Sequence, residues 1–115
     1  GALSTGADPL MSPVSAVESI RQLLEQTHTS MDDIGCVECN EAFAAIDVLF
    51  QRAYPDKCSR YNMFGGALAY GHPYGASGAI IFLHLMKAME LTESRKGICS
   101  VAAAGGIGTA VLLER

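Results

Sequence analysis

The segment AAAGGIGTAVLLER, Ala102 to Arg115, follows the apolar run KGICSV, Lys96 to Val101. Lys96–Val101 and Thr109–Leu113 read as two strands, and the Ala/Gly stretch between them as a tight hairpin connection. Glycines packed this closely beside an apolar strand let backbone approach something. One reading is a ligand, with turn amides near a carbonyl. The other is a hairpin packed against a helix. A phosphate loop is excluded, because neither GxxxxGK[ST] nor a strand-to-helix GxGxxG is present.

Upstream lies a second glycine cluster, GGALAYGHPYGASG, Gly65 to Gly78. Pro73 disfavours a helical conformation at His72, which puts the histidine on an extended or turn backbone. A helix is predicted from Ser77 to about Leu91. From Ala79 to Met86 its one residue that is not apolar is His84. A helix apolar nearly all round needs cover on more than one side. An open apolar patch along Ile80, Ile81, Leu85 and Met89 would mark missing cover or assembly.

The first half supplies the rest of the sheet. ALST (Ala2 to Thr5) reads as the last residues of a strand, a first strand that is truncated. Ser12 can cap, and Pro13 suits the first turn of, a helix reaching about Gln26. Val14, Val17, Ile20, Leu23 and Leu24 form its apolar stripe. Ile34 to Cys39 is a short strand. Asn40 ends it and is placed to cap a helix from Glu41 to about Ala53, with Pro55 just beyond. RYNMF, Arg60 to Phe64, reads as a further short strand. The β-α-β-α order predicts that the first two strands run parallel in an α/β fold.

Composition sets outer limits. The chain has 115 residues, half of them hydrophobic, which is room for one domain, 1–115. A net charge of −4, from 12 acids against 8 bases, gives no footprint for nucleic acid or an anionic membrane. Four cysteines include Cys36 and Cys39 in CVEC. On a strand, residues three apart face opposite ways, so this pair reads as two buried thiols and not as a metal or redox site. No signal peptide or transmembrane run is legible, which predicts a cytoplasmic protein.

Two side chains carry chemical potential. Asn40 stands at a strand-to-helix junction, where open α/β sheets place functional groups. It reads either as a helix cap or as a donor to a developing oxyanion. Glu41 reads as a first-turn acid complementing the helix dipole. His72, between Gly71 and Pro73, can deprotonate a thiol or donate to a thioester oxygen; the alternative is an ordinary loop histidine. His84 reads as structural. Ser77 in GASG lacks the pattern of a serine nucleophile.

Three segments together resemble the carboxyl-terminal domain of thiolases, the acetyl-CoA acetyltransferases and 3-ketoacyl-CoA thiolases. They are ECNEAFA (Glu38 to Ala44), GGALAYGHPYGASG and AAAGGIGTAVLLER, with GADPLMSPVSAVE near the start. The resemblance covers nearly the whole chain. It implies a mixed sheet with covering helices and a helix buried between two homologous halves, the other half lying outside this chain. It implies coenzyme A thioesters as substrate or ligand, no covalent cofactor, and a complementary half or homologous subunit in an oligomer.

The resemblance also assigns roles. A cysteine in the other half becomes acylated. His72 matches the histidine that activates it, and Asn40 the asparagine that fixes a water in an oxyanion hole. Gly71, Gly105, Gly106 and Gly108 supply pocket backbone. A second cysteine, in CxGGxG, moves the α-carbon proton; its position here is Ala102, and Ala104 replaces the first of three glycines. A methyl group exchanges no proton. Cys99 is three residues upstream and faces elsewhere on the strand. Phe64 stands where many thiolases have asparagine, and Tyr70 and Tyr74 enlarge the rim. The expectation is a thiolase portion or small subunit that is inactive alone. The alternatives are a non-catalytic thiolase-like subunit binding a CoA thioester, and a plain interaction module.

Overall fold

The computed structural model describes residues 1–115. Its sheet has four strands: β1 (Ala2–Gly6), β2 (Cys36–Cys39), β3 (Lys96–Ala103) and β4 (Ile107–Glu114), in the order β1-β4-β3-β2. The hairpin read from the sequence is present: β3 and β4 pair antiparallel, with Ala102 opposite Gly108. β2 pairs parallel to β3, and β1 antiparallel to β4. The first two strands therefore point the same way, but they are not neighbours. β3 and β4 separate them.

Helix α1 (Val14–Gln26) crosses one face of the sheet with α2 (Ala44–Ala53) beside it, and α4 (Ser77–Leu91) covers the other face. A single turn, α3 (Ala67–Tyr70), precedes His72. The two faces make two cores. Ile20, Leu23, Ile34, Val37, Ile46, Phe50 and Ile98 pack on the α1–α2 side. Cys36, Ile81, Leu85, Ala88, Met89 and Cys99 pack under α4. Each of β2's four residues is buried, because both of its faces are covered. CVEC accordingly splits, Cys36 to one core and Cys39 to the other, as strand alternation requires.

Several local expectations are corrected. Ser12 does not cap α1. Its hydroxyl donates to Pro9 O and accepts from Gly106 N, so the start of α1 is tied to the hairpin turn. Asn40 does not cap α2, and Glu41 does not lie in its first turn: the helix begins at Ala44, after an extended Phe43. RYNMF forms no strand beyond one parallel bridge from Tyr61 to Val37. Tyr61 instead stacks on Phe50, with ring centroids 4.2 Å apart.

The surface along Ile80, Ile81, Leu85 and Met89, where an open patch would mark missing cover or assembly, is not open. Ile81, Leu85 and Met89 are buried against the sheet and Ile80 is half-buried. The open face of α4 carries Leu83 and Met86, which are 63% and 51% exposed. Within these residues the helix is covered on one side only. No helix is long and apolar enough to cross a membrane.

Candidate active site

The site grows from the carboxyl end of β2. Asn40 N donates to Ser100 O at 2.9 Å, extending the parallel ladder one residue past the strand. Asn40 is buried at this edge, beside the stretch of β3 that leads into Ala102. Asn62 clamps the same strand end. Its Oδ1 accepts from Cys39 N at 2.8 Å, and its Nδ2 donates to Cys39 O at 3.1 Å and to Glu41 Oε1 at 2.8 Å. Asn62 adopts a positive φ of 44°, a conformation that asparagine tolerates better than most residues. Glu41 Oε2 then accepts from Leu68 N at 3.1 Å. Glu41 therefore anchors the loop that carries α3, a role in place of the helix-dipole one.

Past α3, Gly71 has φ 98° and turns the chain into His72. The hydrogen bonds around His72 set its tautomer. Ser77 Oγ donates to Pro73 O at 3.0 Å, which uses its one proton. The same oxygen lies 2.6 Å from His72 Nδ1, so it accepts there and Nδ1 carries the hydrogen. Nε2 is left with its lone pair, facing the Asn40 side-chain nitrogen at 3.4 Å. A proton acceptor and an amide N–H donor thus converge at one point. Tyr74, exposed, stands edge-on to the His72 ring with centroids 4.8 Å apart. The sequence shows Ser77 only as a poor nucleophile; its orienting role depends on the turn at Pro73 bringing it back onto the ring.

The hairpin glycines separate into two kinds. Gly105, with φ 84°, has open space where a Cβ would stand. Gly106 and Gly108 do not: a Cβ at Gly106 would collide with the Ala7 carbonyl, and one at Gly108 with the Ser15 carbonyl. Ala7 N donates to Gly106 O at 2.7 Å, and Ser15 Oγ to Ile107 O at 2.8 Å. The close approach at these two glycines is to the chain's own α1 and the loop before it.

The profile of the thiolase C-terminal domain family matches residues 1–115. The chain belongs to this thiolase family. It is 39% identical over 113 residues to an acetyl-CoA acetyltransferase of Syntrophomonas wolfei, covering 96% of this chain and 28% of that protein. It is 37% identical to a β-ketoadipyl-CoA thiolase of Pseudomonas knackmussii, covering 100% of this chain and 29% of that one. Among solved structures, human mitochondrial 3-ketoacyl-CoA thiolase superposes with a TM-score of 0.93 at 33% identity, over 99% of this chain and 29% of its own. A thiolase from Ascaris suum in complex with coenzyme A superposes with a TM-score of 0.90 at 31% identity, over 100% of this chain and 30% of its own. The chain spans less than a third of the length of these relatives.

In this thiolase domain Ala102 packs toward the α1–α2 core, whereas Cys99 lies under α4. The two positions are on opposite faces of β3. Burial pushes the Cys99 thiol up to about 11, beside the acidic Glu38. Burial likewise pushes Cys39 up to about 12. No group of acidic, histidine and cysteine side chains has the arrangement of a metal site. A groove of about 660 Å³ lies between α4 and the end of β4, lined by Phe82, Leu83, Met86, Met89 and Leu113 among others; His72 and Asn40 do not line it.

Proposed function

We propose that this domain supplies the base and an oxyanion donor to a site for acyl-CoA thioesters, with the nucleophile supplied from outside these residues. The observation that carries the reading is the pair of contacts at His72, Nδ1 to Ser77 Oγ at 2.6 Å and Nε2 to Asn40 Nδ2 at 3.4 Å. Its Nδ1–H is committed to Ser77, and its Nε2 lone pair is presented beside Asn40. Nε2 takes the proton of a thiol, and the thiolate attacks the thioester carbonyl carbon. The carbonyl oxygen gains the electron pair and meets the Asn40 Nδ2–H and the new Nε2–H. Collapse of the tetrahedral adduct breaks the carbon–sulfur bond, and the departing CoA thiolate takes the proton from Nε2. Asn40 acts here directly or through a water it holds.

The open face of α4 and its adjoining groove fit the complementary half that the family resemblance implies, which would cover Leu83 and Met86. A second reading is favoured by Ala102: a thiolase-like subunit that binds a CoA thioester or stabilises a partner without condensing it. The test supplies a nucleophile-bearing half and acetyl-CoA and follows acylation of that half by mass spectrometry. Loss of acylation in His72→Ala, with acetyl-CoA binding retained, supports the first reading. Acylation unchanged in His72→Ala refutes it and leaves the second.

A further inference from the structure

Gly66 is a glycine with no conformational need to be one. Its φ of −132° and ψ of −167° are extended backbone that any residue adopts. What excludes a side chain there is the carboxyl group of Glu41, with which a Cβ at Gly66 would collide. The carboxyl in that seat is held at both oxygens. Oε1 accepts from Asn62 Nδ2 at 2.8 Å, and Oε2 accepts from Leu68 N at 3.1 Å. We propose that Glu41 is a positioning residue, a role that rests on the acyl-transfer reading: from this seat it sets how His72 meets Asn40.

The two members of that pair arrive on separate pieces of chain. Asn40 is fixed at the end of β2, where its N–H donates to Ser100 O and its carbonyl accepts from Ala42 N, both at 2.9 Å. Asn62 grips the backbone of Cys39 on one side of it and the Glu41 side chain on the other. His72 follows α3, a helix of four residues. One helical turn has little stability of its own, because nucleation fixes several dihedrals for a single hydrogen bond. Its N-cap is Gly66, which has no side chain to offer the first amides. Glu41 supplies the missing acceptor from outside the helix, to Leu68 N. The turn then passes to the base, with Gly71 N donating to Ala67 O at 2.8 Å and His72 next in the chain. Residue 41 therefore adjoins Asn40 along the backbone and holds, through its side chain, the turn that delivers His72.

Ser77 has a different task. It fixes the rotation of the imidazole through Nδ1 at 2.6 Å, and that contact includes no group of β2. The contact between His72 Nε2 and Asn40 Nδ2 is long by comparison, at 3.4 Å, so a small shift of the α3 turn breaks it. Misplacing a reacting group by about 1 Å costs on the order of 100-fold in rate.

Two variants empty the seat by different routes. Glu41→Gln keeps the size of the side chain but turns an NH2 toward one of two donors, so one contact is lost. Gly66→Ala leaves Glu41 intact and pushes its carboxyl aside. That carboxyl is the free end of a half-buried side chain, so the fold survives by letting it swing out. NMR follows the nuclear Overhauser contact between the Asn40 side-chain amide and the His72 ring. Kinetics follow acylation of a supplied nucleophile-bearing half by acetyl-CoA. In both variants the Asn40–His72 contact should disappear while the His72–Ser77 contact remains, and kcat should fall about 10- to 100-fold with KM unchanged. A lower Tm with that contact and kcat unchanged makes Glu41 merely structural and overturns the proposal. So does the absence of the Asn40–His72 contact in the unsubstituted protein, a readout that needs no variant to fold. His72→Ala separates this role from the reading beneath it. Acylation unchanged in His72→Ala refutes the acyl-transfer reading, whereas acylation lost in His72→Ala but kept in both seat variants refutes the role of Glu41 alone.

Discussion

Gly108→Ala separates a hairpin built for a ligand from a hairpin built for the fold. The added methyl meets the Ser15 carbonyl, which is backbone within a packed helix and has no free direction in which to yield. Overpacking of this kind costs about 1–3 kcal/mol. Moving α1 away also strains the Ser15 Oγ to Ile107 O hydrogen bond, worth about 1 kcal/mol. The sum is about 2–4 kcal/mol, a large part of the roughly 5–15 kcal/mol that holds a domain together. For 115 residues, an unfolding entropy of about 2.1 cal/mol/K per residue makes each kcal/mol worth about 4 °C. The expected fall in Tm is therefore about 8–16 °C by differential scanning calorimetry. Gly78→Ala is the control. Gly78 lies in the first turn of α4 with open space at its Cβ, so alanine should raise Tm by about 2–4 °C through helix propensity. If Gly108→Ala melts with the unsubstituted protein and loses only CoA-thioester binding, the steric account fails and the glycine belongs to the ligand.

Other measurements address the site and its supports. Asn62→Ala leaves the buried N–H and carbonyl of Cys39 without their partner, which should cost about 2–4 kcal/mol in urea denaturation. Asn62→Asp should recover only part of this, because the acceptor survives and the donor does not. With the nucleophile-bearing half supplied, Ala102→Cys should gain condensation of two acetyl units and Ala102→Ser should not, followed by acetoacetyl-CoA absorbance. A maleimide applied to the native protein at neutral pH should label Cys58 and spare Cys36, Cys39 and Cys99, which are buried; labelling of Cys36 or Cys39 would contradict the split of CVEC between two cores.

The elements legible in the sequence are those whose pattern is local. The Ser77–Leu91 helix and the β3–β4 hairpin follow from apolar runs bounded by glycine. What escapes depends on contacts far along the chain. Asn40 looks like a cap because asparagine before a helix usually is one, but the helix starts at Ala44 and the side chain turns to His72, 32 residues away. Ser12 likewise serves Gly106, 94 residues away. The strand order is of the same kind. Two strands with the same direction look like neighbours until a hairpin from the end of the chain is inserted between them. His72 is readable because Gly71 and Pro73 constrain its own backbone, whereas its tautomer depends on the proton of Ser77.

Ala102 bears on what the site can do as well as on what it lacks. Activating a thiol and moving a proton at the α-carbon are separate steps, and condensation needs both in one cycle. Cys99 does not perform the second step, because it lies on the opposite face of β3 and burial keeps it a thiol. Glu41 does not either, since its two oxygens are held by Asn62 and by Leu68 N. Asn40 has no proton to exchange in this range. His72 is the proposed base, and with its Nδ1 facing Ser77 Oγ at 2.6 Å its Nε2 is the nitrogen left for the thiol. Acyl transfer through a thiol needs one such group; carbon–carbon bond formation by the same residues needs a second at position 102 or from the partner. The alanine thus divides the proposed chemistry between its two half-reactions, and a deuterium-exchange assay reads the division directly. Acetyl-CoA incubated in D2O with the completed site should acylate the nucleophile without deuterium entering its methyl group. Deuterium uptake that persists in the Ala102 protein would show that another group does the work of the missing cysteine.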